Sequence, residues 1–442
     1  MKTKILALAA ASLALGSSAF ADVTVNITGA TAFRVPTLDS IKAQFVASGQ
    51  PFKFAHDRNA GNNQAFNGAT LSIFQGTFPG VPGVTTIRTS FNGSVEGLNA
   101  LVNSPAANPD YLDPSVLNSI TAVVGGNNGG NGQGSVKTPI AGAQSDIAFS
   151  DVALSSTAFA GNSLQPSAPE AGVVVFTMIA NEGAAGILDN MNTQNFRALF
   201  SAGFLPLSFF TGNAGNTDYV FATGRNDGSG TRTAYLAETG YGIANAVNQF
   251  LVGRSTDDAI TAIYRVPAGG TNAALAAVTP QLTLSSKNAS TIWGLDQNGN
   301  GGYSSGTTLR DDMSRTSASV TVYDADGTEL VTEANVHLVT WLSLGDASPA
   351  RTAGAVVLGY NGVKLADFAS TGTLSAADEA KVTQGAYTAW SFQQMYRRND
   401  IASGDKVTVY DNIKANLVLG TTGIAATSMN VGRAVDGGVV TP

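Results

Sequence analysis

The sequence predicts a mixed α/β fold with partly parallel sheets, on three observations. Apolar, β-branched runs are interleaved with segments of helical period, short Gly- and Asn-containing loops join them, and several strand-like runs lead straight into a turn and a helix start. Residues 23–27 read as a first strand. Pro36 suits a first helical turn, with Leu38, Ile41 and Phe45 on one face. A strand through Thr86, Ile87 and Arg88 precedes a second helix over 97–102. The unbroken apolar run 172–179 reads as a buried strand, 193–200 as a helix, 219–222 as a short strand and 233–239 as a helix. Alternating Val, Tyr and Leu on either side of Asp326-Gly327 predict a hairpin over 319–331. Residues 389–398 read as a further helix.

Composition narrows the function classes. With 442 residues the chain has length for two or three domains and a large core. Charged residues make up 12%, well below the usual share of ~25%, so Ser, Thr, Asn and Gly must cover much of the surface. Lys2 and Lys4, the apolar run 5–15 and Ala19-Phe20-Ala21 form the charged region, apolar region and cleavage pattern of a secretory signal peptide, taken as 1–21. The mature chain then starts near Asp22, with 22 basic against 31 acidic residues and a net charge of −9. That balance argues against nucleic acid or an anionic membrane as partner, while leaving room for a small anion in a locally positive pocket. The chain has no Cys, which excludes a lipoprotein anchor, disulfides and thiolate chemistry, and its two His residues are too few for a His-rich metal site. The expectation is an exported periplasmic or extracellular protein, monomeric, with no metal or cofactor.

The strongest local signal is Gly224-Arg225-Asn226-Asp227-Gly228-Ser229-Gly230-Thr231, set between the 219–222 strand and the 233–239 helix. Backbone N–H groups at a helix start have no intrahelical acceptor, and the helix dipole adds partial positive charge there. Gly lets the backbone approach an anion, Ser229 and Thr231 add hydroxyl donors, and Arg225 adds a planar guanidinium suited to a tetrahedral oxyanion. Gly29-Ala30-Thr31 and Asn92-Gly93-Ser94 also follow strands and precede helices. Asp151, after Ser150, is an odd neighbour for an anion unless the ligand carries a proton. A carboxylate accepts a hydrogen bond from protonated phosphate and repels fully ionised sulfate.

In this order and context the segments resemble the phosphate-binding proteins of bacterial ABC transporters, which carry a Gly-Ala-Thr-Phe opening, a Gly-Ser turn, a Ser-Asp pair and an Arg-x-Asp-Gly-Ser-Gly-Thr motif; here the opening is matched through Gly29-Ala30-Thr31. The resemblance implies a two-lobed periplasmic-binding-protein-like fold of type 2, its lobes joined by two crossing strands. Lobe 1 would take 22–168 plus 385–442 and lobe 2 would take 169–384. It implies inorganic phosphate as ligand and a membrane ABC transporter permease as partner. Thr31 and Ser94 would donate from the first lobe, with the Ala32 N–H. Asp151 would accept the phosphate proton, and Arg225, oriented by Asp227, would pair with the anion. Ser229, Gly230 and Thr231 would donate from the second lobe. The pattern departs after Thr31, where the family has Phe-Pro and this chain has Ala32-Phe33-Arg34, and at Val95-Glu96 after the Gly-Ser turn, where Gly is common in the family.

Other readings stand beside these. Ser94 and Asp151 each suit a helix cap. Asp296 to Gly301 begins like a calcium loop, but Thr307 stands where the closing Glu belongs, so an Asn/Gly turn is the reading. The Gly/Asn-rich run 125–134 reads as a surface loop. Gly228-Ser229-Gly230 is no nucleophile elbow and no His stands at a partner spacing, so no catalytic residue is expected. A binding protein for sulfate or molybdate, or an extracellular structural or adhesion protein reusing the fold, are the alternative functions.

Overall fold

The computed structural model describes residues 21–57, 69–122, 124, 143–167, 170–254, 259–266, 301–303, 305–365, 368, 372–417 and 423–442. Residues 1–20, which hold nearly all of the segment read as a signal peptide, the 125–134 run and most of the calcium-like run at 296–301 lie outside the described residues.

A single path of hydrogen-bonded strands runs through both halves of the molecule. In the first half, β1 (Val23–Gly29) lies parallel to β4 (Thr85–Ser90) and to β5 (Ile147–Ser150), with β2 (Phe52–His56) and β3 (Leu71–Gly76) completing the edge. In the second half, β6 (Gly172–Ala180) pairs with β14 (His337–Ser343), which runs parallel to β9 (Tyr219–Ala222). The hinge is made by β6 and β16 (Trp390–Arg397). Trp390 to Gln393 pair with Val175 to Gly172, and Gln394 to Arg397 then pair with Ser150 to Ile147. β16 therefore belongs to both halves and joins β6 of the second to β5 of the first, and the molecule is a two-lobed α/β protein.

The cores divide the same way. One apolar cluster holds Val25, Ile27, Leu38, Ile41, Phe45, Phe74 and Phe149. Another holds Val175, Phe176, Phe200, Phe221, Tyr235 and Trp341. The strand at 172–179 is buried along its whole length, which explains its unbroken apolar run: side chains on both faces meet packed layers. Helix α1 (Arg34–Ala47) buries Pro36, Leu38, Ile41 and Phe45 together, as its period required. The predicted hairpin forms between Ser317–Tyr323 and Glu329–Glu333, closed by Gly327 at φ 85° with Asp324 N donating to Thr328 O at 2.8 Å.

One expectation is corrected. Residues 389–398 are not helical: they contain β16. Trp390 and Phe392 alternate with Ser391 and Gln393, but both polar residues are buried, and the strand changes partner at Gln394. Polarity therefore does not report exposure there, and the period of two is broken halfway along.

Candidate functional site

The site is assembled from the C-terminal ends of parallel strands, the usual place for ligands in open α/β sheets. Thr28 of β1 lies between Ser90 of β4 and Ala148 of β5, so the loops that follow emerge side by side. Gly29, at φ 115°, lets this happen, since a Cβ there would overlap the Phe149 carbonyl oxygen. Ala30 N donates to Phe149 O at 2.7 Å and Gly93 N donates to Gly29 O at 3.0 Å. Helix α2 (Ser94–Val102) drops onto the end of β1, where Gly97 packs so closely that a Cβ would stand 2.5 Å from Gly29 Cα. In the second lobe the turn after β9 opens helix α5 (Gly230–Glu238), with Ser229 as its cap: Ser229 Oγ accepts from Arg232 N at 3.4 Å.

Four predicted segments meet. Val95 N and Glu96 N, at the start of α2, donate to Gly228 O at 3.1 and 3.4 Å, joining the lobes. Asp151 N donates to Ser94 Oγ at 3.0 Å. Gly230 sits against both, 2.5 Å from Ser94 Cβ and 3.2 Å from Asp151 Cβ if it carried a Cβ. Ser94, Asp151, Arg225, Ser229 and Thr231 are all buried, and Thr31 and Ala32 open a short 3-10 turn at the same edge. Ser94 and Ser229 each accept a backbone N–H, which pins the oxygen; the Ser94 hydroxyl proton is turned to the Asp151 carboxylate, and that of Ser229 is left to be donated elsewhere.

Charge is concentrated here. Arg225 Nε donates to Tyr303 O at 3.0 Å, so the backbone at Tyr303 orients the guanidinium. Burial lowers the Arg225 pKa, the carboxylates of Asp346 and Asp151 oppose that fall, and the positive charge of Arg34 adds to it. Arg34 stands at the start of α1, where the sequence departed from the Phe-Pro pattern, and it too is buried. Burial pushes Asp151 up to about 6. Hydrogen bonds from Gln393 and Ser94 and the charge of Arg225 pull it back, and Asp436 pushes it further up.

This shift sets a pH dependence. The folded-state pKa lies above the ordinary 3.8, so the stability Asp151 supports is full below about pH 4 and is lost as pH rises through 6. The loss is about 3 kcal/mol. Asp151→Asn should remove that part of the decline, and denaturant melts of the anion-free protein between pH 4 and 7 read it directly.

Asp227 departs from its expected role of orienting Arg225. Its Oδ1 lies 2.7 Å from Arg232 Nη2, its side chain is half exposed, and Arg232 Nη1 in turn donates to Arg225 O at 3.2 Å. The turn carries the side chain at 227 toward the helix residue at 232. Asp227→Asn should therefore change anion affinity by less than about threefold and stability by at most ~1 kcal/mol, checked by titration and melting.

Three further residues at the site were not anticipated: Gln393, whose Nε2 donates to Asp151 Oδ1 at 3.4 Å, Asp346 and Tyr303. Reading 390–397 as a strand would have brought Gln393 to the hinge. No local pattern marks the other two. Among the described residues no group of three or more His, Cys, Asp or Glu is placed to hold a metal ion, and no helix is long and apolar enough to cross a membrane.

Fold and site together define a two-lobed α/β molecule in which helix starts, hydroxyls, a guanidinium and a carboxylate meet at the seam between the lobes. No protein-family pattern and no curated protein matches the chain. Among solved structures it is similar to one from Clostridium perfringens described as a phosphate ABC transporter substrate-binding protein with bound phosphate, at 11% identity and a TM-score of 0.40, covering 91% of this chain and 99% of that one. It is also similar to an ABC-type phosphate transport receptor from Vibrio cholerae, at 9% identity and a TM-score of 0.41, with the same coverage. At such distance the roles of the residues rest on this chain's own geometry.

Proposed function

We propose that this protein is an exported solute-binding protein that captures inorganic phosphate between its lobes and delivers it to an ABC transporter permease, making and breaking no bonds itself. The observation that carries the reading is the meeting of a buried guanidinium, a buried carboxylate and two helix starts from different lobes at one seam. The start of α5 and the hydroxyls suit a tetrahedral oxyanion, the Val95 and Glu96 amides of α2 being taken by Gly228 O, and Arg225 supplies a full positive charge. Asp151 selects among oxyanions. A carboxylate at about 6 is ionised at neutral pH and accepts the proton that phosphate still carries. Sulfate has no such proton and meets an uncompensated like charge.

In this reading Thr31, Ala32 and Ser94 donate from lobe 1, taken as 22–168 plus 385–442. Ser229, Gly230 and Thr231 donate from lobe 2, taken as 169–384. Lobe opening about β6 and β16 admits and releases the anion. A ligand that binds only the folded state raises its melting temperature by mass action. Millimolar phosphate should raise it by several degrees and equal sulfate by less than one degree. Equal shifts with both anions, or none with either, would remove phosphate from the reading.

A further inference from the structure

A recess adjoins the proposed seat at two of its residues. It encloses about 290 Å³ including its open mouth and is lined by Ala32, Phe33 and Pro36 of the first lobe, Val174, Gln393 and Gly423 at the hinge, and Ser343 and Gly345 of the second. Ala32 is at once a wall of the recess and a donor of the seat. Gln393 is at once a wall and the hydrogen-bond partner of Asp151. The lining is mixed, with apolar side chains beside Gln393, Ser343 and glycine backbone, and the enclosed part has room for little more than a group the size of a water molecule or a methyl.

Gln393 makes the recess more than a packing gap. Its side chain is 3% exposed. Its Nε2 is committed to the Asp151 carboxylate, which fixes the amide, and its Oε1 has no donor. A buried acceptor left without a donor is costly, and the one side-chain hydroxyl of the lining, that of Ser343, is turned to Asp346 Oδ2 at 3.5 Å. A hydroxyl carried on the ligand would supply the missing donor, through a space too small for a ring.

We propose that this recess is a subsite for a short hydroxyl-bearing arm on the bound oxyanion, so that the site takes small hydroxyalkyl phosphonates as well as inorganic phosphate. The inference rests on the oxyanion seat proposed above and narrows its ligand class. The phosphonate head keeps the tetrahedral oxygens for Arg225 and the helix starts, and a P–O–H for Asp151. The arm's carbon lies among Ala32, Phe33, Pro36 and Val174, and its hydroxyl donates to Gln393 Oε1.

The test is calorimetric titration of the protein with three probes: inorganic phosphate, methylphosphonate and hydroxymethylphosphonate. All three should bind, with the hydroxymethyl compound about tenfold tighter than the methyl compound, the worth of one hydrogen bond to an otherwise unsatisfied buried acceptor. In Gln393→Met the gap between the two phosphonates should close to within about twofold, whatever change the lost Asp151 hydrogen bond makes to the affinity common to all three probes. Phosphate binding with both phosphonates excluded, or phosphonates bound without a gap, overturns the subsite and leaves the seat standing. If none of the three binds, the seat fails and the subsite with it. If Gln393→Met does not fold, the comparison of the two phosphonates on the native protein decides alone.

Discussion

Replacing Arg225 by Met should lower phosphate affinity by about a hundredfold or more. The guanidinium is 2% exposed, its Nε is held by the Tyr303 carbonyl, and the Asp346 and Asp151 carboxylates lie within electrostatic reach. Removing one partner of a buried, hydrogen-bonded charge pair typically costs 2 to over 5 kcal/mol, roughly thirtyfold to several thousandfold in affinity. Much of that loss is the charge left behind: without Arg225 the anion would face both carboxylates. Arg225→Lys should recover little of it, because an ammonium has no Nε–H to lock against Tyr303 and no planar fork for two oxygens. Titration with phosphate checks both variants, with a melting curve to confirm folding. An Arg225→Met affinity within threefold of native would mean that the anion sits elsewhere.

The second large effect comes from removing empty space. A Cβ on Gly230 would overlap Ser94 Oγ, lie 2.5 Å from Ser94 Cβ and 3.2 Å from Asp151 Cβ. Ser94 and Asp151 belong to the first lobe and Gly230 begins α5 in the second, so Gly230→Ala drives a wedge into the seam and spoils both sides of the seat. Phosphate affinity should fall by about two orders of magnitude, since donors displaced by an ångström lose most of their hydrogen-bond energy. Scattering in saturating phosphate should show a larger radius of gyration than native. Each lobe keeps its own core, so melting should shift far less than binding. Gly161 is the control: it has an unrestricted backbone and no atom within 4 Å of a Cβ, and Gly161→Ala should be silent. If Gly230→Ala binds phosphate as native does and stays equally compact, the lobes do not close at this seam.

The sequence made much of this site legible because the anion-binding features are local. Strand, Gly-containing turn and helix start are consecutive in the chain, so Thr31, Ser94 and the run from Arg225 to Thr231 stood out, and the structure brings these segments together. What adjusts the site is not local. Gln393, Asp346 and Tyr303 come from a hinge strand, a distant helix start and an isolated bridge to Arg225. None has a neighbour in sequence that betrays its partner. Asp227 shows the opposite failure. It stands beside Arg225 in sequence, yet the turn before α5 sends its carboxylate to Arg232. The error over 389–398 has a similar root, because a hinge strand shared between two sheets buries polar residues that alternation would place in solvent.

The central claim is that the seam selects a protonated tetrahedral anion, with Asp151 as the reader of the proton. The most direct test is calorimetric titration of anion-stripped protein with phosphate and with sulfate at pH 7, repeated on Asp151→Asn. One-to-one phosphate binding that sulfate does not displace is expected of the native protein, and measurable sulfate binding once the carboxylate has become an amide. Sulfate binding to the native protein as tightly as phosphate, or no heat from phosphate at all, would contradict the claim.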